Sequence, residues 1–171
     1  MLEMNLLDEE VFAVILAVIV VGSVFSIAMI FRPENPEPFT AIGLLNENCK
    51  IGDYPSTVFN GDNVSLCIFI DNHLDHAALF EVRYKVSGQD HIPTNTTPSP
   101  NTTLVKWNVF LDKYSNTTFK VSVPVNVSIT NTSRVALVFE LWVLDPSTHN
   151  WVYTGRWVHL YVRVLESPLG G

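Results

Sequence analysis

The stretch DNHLDH at 71–76 holds the densest group of side chains that could bind a metal. Imidazole and carboxylate groups are ordinary zinc ligands, and one Cys with two His would suit copper. A copper site of that type also uses a weak axial ligand such as Met, but Met1, Met4 and Met29 all lie in the N-terminal tail or in an apolar segment. A polar hairpin turn explains the stretch without a ligand, so we expect neither a metal nor a cofactor.

Motifs for catalysis are missing from the sequence. It contains no G-x-S-x-G nucleophile elbow, no H-E-x-x-H zinc motif and no phosphate-binding P-loop. Carboxylates such as Glu140 stand singly among apolar residues, where an acid is usually outward-facing or satisfied by a partner. The sequence therefore predicts that the protein is not an enzyme. A polar cleft where His and carboxylate groups converge would favour the opposite conclusion.

Six asparagines begin an N-x-[ST] triplet, the acceptor pattern for N-linked glycans. With 14 Asn and 25 Ser plus Thr among 171 residues, chance gives about two such triplets. The six are Asn63, Asn95, Asn101, Asn116, Asn126 and Asn131. The excess predicts a domain that meets a glycosylation machinery outside the cell membrane. The alternative is a β protein rich in Thr and Asn that matches the triplet by accident.

Two cysteines, Cys49 and Cys67, lie eighteen residues apart. An even number of Cys in an exported domain predicts a disulfide. The spacing lacks the paired C-x2-C of a zinc site, and two free buried thiols remain as the alternative.

One segment, 11–31, runs 21 residues without a charge and includes fourteen Val, Ile, Leu or Phe. As a helix it would be about 31 Å long, which matches a bilayer hydrocarbon core of roughly 30 Å. The preceding tail, MLEMNLLDEE, lacks the basic start of a signal peptide, and no A-x-A cleavage site follows the segment. Because the segment also lacks a polar face, we expect a membrane anchor rather than a cleaved signal or a buried core helix.

The orientation of this anchor is predicted from two opposing signals. Arg32, beside the segment, favours a cytoplasmic C-terminal domain by the positive-inside rule. The six sequons favour an extracellular domain, and we give them more weight.

A net charge of −7 without a Lys/Arg cluster disfavours nucleic acid as a partner. The expected partners are the lipid bilayer, N-linked glycans and other membrane or envelope subunits.

The chain divides into an acidic tail at 1–10, a transmembrane helix at 11–31, a Pro-rich spacer at 32–38, a β domain at 39–165 and a C-terminal tail at 166–171. Seven apolar runs with strand character follow the spacer, separated by turns rich in Asn, Asp, Gly and Pro. The runs are 39–46, 63–71, 78–86, 103–112, 118–129, 134–144 and 151–164. Short strands at regular spacing predict an all-β, immunoglobulin-like antiparallel sandwich, with a closed barrel as the alternative.

Irregularities and a binding face are predicted within these strands. Pro124 has no backbone N–H to donate to a neighbouring strand, which predicts an edge strand or a bulge, and Gly155 predicts a bulge near the start of the last strand.

Alternation places Trp142, Trp157 and Tyr161 on the outer face of a sheet if the aliphatic residues fill the core. An exposed aromatic patch predicts a partner interface, unless the bulge or a covering loop buries the rings.

The stretch 39–75 resembles the extracytoplasmic module of an archaeal membrane family, domain of unknown function 1616. The matching elements are Phe39-Thr40, Asp53-Tyr54-Pro55, Val58 through Asn63 and Asn72-His73, with a moderate match at 151–164. The resemblance implies a membrane-anchored archaeal β domain and supplies no activity or catalytic residues. Many members of the family carry several N-terminal membrane helices, whereas one is expected here, so a function that needs the others would depend on other chains.

These features predict a non-enzymatic, single-pass cell-surface protein with an extracellular C-terminal domain. Its expected role is that of a glycosylated accessory or recognition subunit of an archaeal membrane or envelope complex. The alternative is a pilin- or archaellin-like subunit whose N-terminal helix packs in a filament core. Precursors of that kind have a basic residue before a small one ahead of the helix, and NLLDEEVFAV at 5–14 lacks this site.

Overall fold

The computed structural model describes residues 9–31, 37–127 and 134–166. The chain forms two compact units, Met1–Glu37 with the N-terminal helix and Pro38–Gly171 with the β domain. The elements are α1 (Glu9–Ile30), β1 (Phe39–Leu45), β2 (Thr57–Phe59), β3 (Asn63–His73), β4 (Ala78–Ser87), a short 3-10 helix (Gln89–His91), β5 (Val105–Leu111), β6 (Ser115–Pro124), β7 (Arg134–Leu144) and β8 (Trp151–Leu165).

Helix α1 contains one span, Val11–Ile30, that is long and apolar enough to cross a membrane. The hydroxyls of Ser23 and Ser26 donate to the carbonyl oxygens of Ile19 and Gly22, at 2.6 and 2.8 Å. A hydroxyl group in lipid has no water to bond, so these contacts within the helix make the two serines compatible with such an environment.

The β domain is a two-sheet sandwich, and the predicted all-β fold with one N-terminal helix is confirmed. One sheet has the strand order β1-β3-β6 and the other has the order β2-β8-β7-β4-β5. Neighbouring strands are antiparallel, except that β2 and β8 are parallel. Every second residue of these strands points into the core between the two sheets, where Leu66, Phe80 and Phe139 are fully buried. Removing this apolar surface from water is the main stabilising term.

The described residues form eight strands rather than the seven that the apolar runs predict. The additional strand, β2, has three residues and pairs with 163–165 of β8. Pro124 ends β6, which is an edge strand, as its missing N–H requires. Gly155 has a φ of +72° beside a register shift between β7 and β8, which is the predicted bulge.

A disulfide joins Cys49, in the loop after β1, to Cys67 in β3, with the two Cα atoms 5.2 Å apart. The buried Asn46 organises the same loop, because its Oδ1 accepts hydrogen bonds from the backbone N–H groups of Asn48 and Lys50, each at 3.0 Å. The covalent bridge and one buried amide thus hold this loop against the three-stranded sheet.

Candidate functional site on the five-stranded sheet

The outer face, defined as the face of the five-stranded sheet turned away from the core, carries polar and aromatic residues from three strands. They include Glu81, Arg83 and Lys85 of β4, Glu140 and Trp142 of β7, and Trp157, His159 and Tyr161 of β8. Each lies there because the residues that alternate with it fill the core. Trp142, Trp157 and Tyr161 therefore lie on the side of the sheet that alternation predicts.

A buried ion pair lies near the centre of the outer face. Lys85 Nζ is 3.0 Å from Glu140 Oε2, and the two residues are 5% and 0% exposed. A buried charge is tolerated when an opposite charge and hydrogen bonds compensate for its lost hydration. The sequence context of Glu140 predicts an outward-facing or satisfied acid, and the residue is both: it faces away from the core and is satisfied beneath a cover.

The cover is the segment 88–104, which we name the cover loop. Both backbone polar groups of Ser99 bond to the ion pair: its N–H donates to Glu140 Oε1 and its carbonyl accepts from Lys85 Nζ, each at 2.6 Å. The Oγ atoms of Ser99 and Ser87 are 2.9 Å apart. The ion pair therefore fastens a polar loop to the sheet through the backbone of a single residue.

The cover loop also reaches β8. The hydroxyl of Tyr153 donates to the Thr94 carbonyl oxygen at 2.9 Å. Burial, followed by the Glu140 charge, raises the pKa of Tyr153 to about 12, so this hydroxyl keeps its proton near neutral pH. A Cβ atom at Gly155 would clash with the carbonyl oxygen of Asn95. Gly155 is thus required both for its positive φ and for the close approach of the cover loop.

Trp142 is engaged by its own neighbours on the outer face. Its Nε1 donates to Glu140 Oε2 at 3.1 Å, and the Arg83 guanidinium lies 3.7 Å from its ring centroid in a cation–π contact. Arg83 in turn donates to Glu81. The polar edge and one face of this tryptophan are therefore occupied within the domain.

Three further rings follow one another along β8, and we name Trp157, His159 and Tyr161 the aromatic row. The ring centroids are 5.1 Å apart between the first two residues and 4.7 Å apart between the last two. All three residues are half-buried, and burial lowers the pKa of His159. Among the described contacts, none of the three side chains hydrogen-bonds to the cover loop. Each ring joins an apolar face to a polar nitrogen or oxygen, as is common in binding surfaces.

The six sequons fall into three groups. Those with an exposed asparagine are Asn63, Asn95, Asn116 and Asn126. Asn101 is half-buried, and its Nδ2 donates to the Val86 carbonyl at 2.7 Å and to Ser87 Oγ at 3.1 Å. Asn131 lies outside the described residues. Because an N-linked sugar attaches to Nδ2, the folded domain leaves Asn101 less accessible than the exposed four.

The stretch 71–76 spans the end of β3 and the turn into β4. Asn72 is buried, and its Nδ2 donates to the carbonyl oxygens of His76 and Asp112, at 3.1 and 3.0 Å. Across the ranges that the structure describes, no three His, Cys, Asp or Glu side chains converge as metal ligands would. The buried asparagine amide is what orders this turn.

Sequence patterns did not single out Lys85 or Ser99. Lys85 alternates with core residues in the way that any solvent-facing lysine would. A usable signal is Glu140, the one charged residue among the apolar residues 135–144 of β7, because an acid there requires an opposite charge if it is buried. Ser99 gives no signal of this kind, because its contribution comes chiefly from backbone atoms.

No protein-family model matches the chain, and no curated protein matches it. Among solved structures, it is similar to the CARDB domain of a Pyrococcus furiosus protein, determined in complex with di-metal ions: 11% identity, TM-score 0.44, covering 75% of this chain and 89% of that one. It is also similar to the sporulation control protein Spo0M of Bacillus subtilis, with 12% identity and a TM-score of 0.44, covering 75% of this chain and 50% of that one. A beta-glucosidase of Listeria innocua gives 8% identity and a TM-score of 0.44, covering 77% of this chain and 16% of that one. At these identities the likenesses concern the fold alone, and no functional residue is carried over from them.

Proposed function

We propose that the protein is a single-pass membrane protein that displays a glycosylated β-sandwich outside the cell. Its role is that of an accessory or recognition subunit of a membrane or envelope complex. The observation that carries this proposal is the combination of the apolar span Val11–Ile30 with exposed sequons on the domain that follows it. The resemblance to an archaeal membrane family supports an archaeal cell surface as the setting.

The positions of the sequons support glycan display. Of the five sequon asparagines that the structure describes, four are exposed, and the asparagine is the group that a glycosylation enzyme must reach. Asn63 and Asn126 lie at one end of the three-stranded sheet, Asn116 lies near the start of β6, and Asn95 lies in the cover loop over the other sheet. Sugars at these sites would cover parts of both sheets and supply polarity to a chain with only 16% charged residues.

We further propose that the domain binds rather than catalyses. The two buried carboxylates of the outer face are engaged by basic side chains: Glu140 by Lys85, and Glu81 by Arg83 and Lys106. A general base needs to reach a proton of its substrate, and these carboxylates are turned to neighbours. The aromatic row is the surface we assign to recognition, since Trp and Tyr are enriched in interfaces.

Purification from native membranes followed by mass spectrometry tests this proposal. Glycopeptide analysis is expected to show sugar on at least two of the six sequon asparagines, and unmodified peptides at all six would overturn the glycan assignment. An intact Met1 is expected, whereas a processed end near Val11 would indicate a filament subunit.

The recognition surface is tested with Trp157→Ala, which is expected to lose a copurifying partner. Val152→Ala removes an exposed side chain of the same strand outside the aromatic row and serves as the control. Copurification that is equal in both variants and the wild type would contradict the role of the row.

A further inference from the structure

Two arginines face each other at one end of the outer face. Arg134, the first residue of β7, is directly opposite Arg163 of β8 in the antiparallel register, and both side chains are exposed. Like charges directly opposite each other destabilise a sheet. The pair is therefore a local cost to the fold, in a chain whose net charge is −7.

Acidic side chains do not neutralise this pair within the described residues. The ion pairs found there involve other basic groups, and Glu166, the next acid along the chain from Arg163, is exposed and forms none with either arginine. The Arg134 guanidinium instead lies over the Tyr161 ring, with Cζ 4.8 Å from the centroid. On its other side, Arg163 is opposite Thr57 of β2. Two arginines, a tyrosine and a threonine thus occupy neighbouring positions at this end of the sheet.

We propose that the Arg134–Arg163 pair and the adjoining aromatic row bind an acidic carbohydrate chain. Each guanidinium presents a fork of N–H donors that matches a carboxylate or a sulfate group. The flat rings of the row suit the apolar C–H faces of sugar rings, and their polar atoms suit the hydroxyls. The inference rests on the proposed function, because it names the chemistry that the recognition surface takes.

The layout of the residues favours an extended ligand over a single ion. Trp157, His159, Tyr161 and Arg163 occupy alternate positions of one strand, which places them in a line roughly 20 Å long at about 3.4 Å per residue. Charge is concentrated at one end of this line, where Arg134 joins Arg163. A sugar chain that stacks on the rings would therefore place an acidic group between the two arginines.

An acidic peptide fits this surface less well. A peptide commonly binds a sheet by adding a strand to a free edge. At 163–165, β8 has β7 on one side and β2 on the other, so a peptide strand could be added only along the earlier part of β8, beside the row and away from the two facing arginines. A carbohydrate is recognised by side chains alone and needs no edge.

Binding is measured with the full chain in detergent micelles by titration calorimetry. The probes are tetragalacturonic acid, which carries carboxylates, dextran sulfate, which carries sulfates, and the neutral sugar maltotetraose. We expect at least one acidic probe to bind, with an affinity that falls as salt rises. Arg134→Ala and Arg163→Ala should each weaken that binding about tenfold or more, as expected for a charged hydrogen-bond donor.

Arg156→Ala is the matched control, because Arg156 is an exposed arginine of β8 that is paired with the core residue Leu141 and so faces away from the row. It removes the same charge and should leave binding unchanged.

The melting temperature of Arg163→Ala distinguishes a role in binding from a role in the fold. The variant removes one of two facing like charges, so its melting temperature should stay the same or rise while its affinity falls. A lower melting temperature with unchanged affinity would assign Arg163 to the fold and overturn the proposal.

Three other outcomes would also overturn the proposal. They are the failure of both acidic probes to bind, binding of the neutral maltotetraose as tight as that of the acidic probes, and tighter binding of a hexaglutamate peptide than of the acidic sugars. The micelle assay does not depend on the side of the membrane that the domain occupies. If no acidic sugar binds, the proposed extracellular location is therefore not affected. If the domain is found on the other side of the membrane, the measured binding is not affected.

Discussion

Either partner of the Lys85–Glu140 pair can be substituted, and the contacts of each residue indicate how much the free energy of unfolding should fall. In Glu140→Gln the side chain keeps its shape and one acceptor oxygen, but the charge that compensates Lys85 is lost, and the new amide NH2 group meets another donor, either the Ser99 N–H or the Trp142 Nε1–H. In Lys85→Met the Glu140 carboxylate keeps the Ser99 N–H and the Trp142 Nε1–H as donors. Removing one partner of a buried pair costs about 3–5 kcal/mol. We expect a loss of about 3 kcal/mol in the free energy of unfolding for each variant, because these remaining hydrogen bonds persist.

The double variant, Lys85→Met with Glu140→Leu, separates the fold from the cover loop. Replacing both charges by apolar side chains is often neutral or stabilising, so the double variant should be more stable than either single variant. The backbone N–H and carbonyl of Ser99 lose their partners, however, and a buried polar group without a partner costs about 1–3 kcal/mol. We therefore expect the cover loop to detach while the sandwich remains folded.

Guanidinium chloride unfolding of the full chain in micelles, followed by tryptophan fluorescence, measures the stability of each variant. Hydrogen exchange at the Ser99 amide and limited proteolysis within 88–104 report on the cover loop. Lys106→Met is the control: its half-exposed side chain is 3.5 Å from Glu81, and such a pair is worth less than about 1 kcal/mol. Equal unfolding free energies for the wild type and Glu140→Gln, or unchanged Ser99 exchange in the double variant, would refute the reasoning.

Local geometry leads to three more expected outcomes. Replacing both cysteines by Ser should lower the free energy of unfolding by about 3 kcal/mol, the entropic value of closing an eighteen-residue loop, and an unchanged denaturation midpoint would contradict this. Gly155→Ala should lose about 2 kcal/mol or more and lower the melting temperature, because of its positive φ and the adjacent carbonyl, whereas Gly88→Ala, where a Cβ meets open space, should have little effect. Glycopeptide mass spectrometry should find sugar at Asn95 and none at Asn101, whose amide nitrogen is used within the fold; full occupancy of Asn101 would show that the sugar is added before these bonds form.

Strands with strict alternation were predictable because one residue in two must enter the core. In β3, the inward residues Val64, Leu66, Ile68 and Ile70 are all buried, as their spacing predicts. β2 was not predictable in this way: Thr57–Phe59 is too short to show a period, and its partner strand lies near the other end of the chain. Local patterns carry no information about such a distant pairing.

The outer face shows where composition misleads. The stretch TNTTPSPNTT at 94–103 predicts an exposed, sugar-bearing loop, and Asn95 is indeed exposed. Ser99, in the middle of the stretch, is only 3% exposed, because it bonds to Glu140, which lies 41 residues further along the chain. Glu140 in turn depends on Lys85, at a separation of 55 residues. These three groups meet only in the folded sheet. The composition of the cover loop therefore does not predict that the loop is held against the sheet by a buried ion pair.

The side of the membrane on which the β domain lies is tested most directly by cysteine labelling in intact cells. Lys113→Cys places a thiol in the exposed turn between β5 and β6, and Asn5→Cys places one in the N-terminal tail. Both native cysteines are bridged and do not react. A membrane-impermeant maleimide is expected to label Lys113→Cys in intact cells and Asn5→Cys only after lysis. Labelling of Asn5→Cys in intact cells, with Lys113→Cys protected until lysis, would contradict the account.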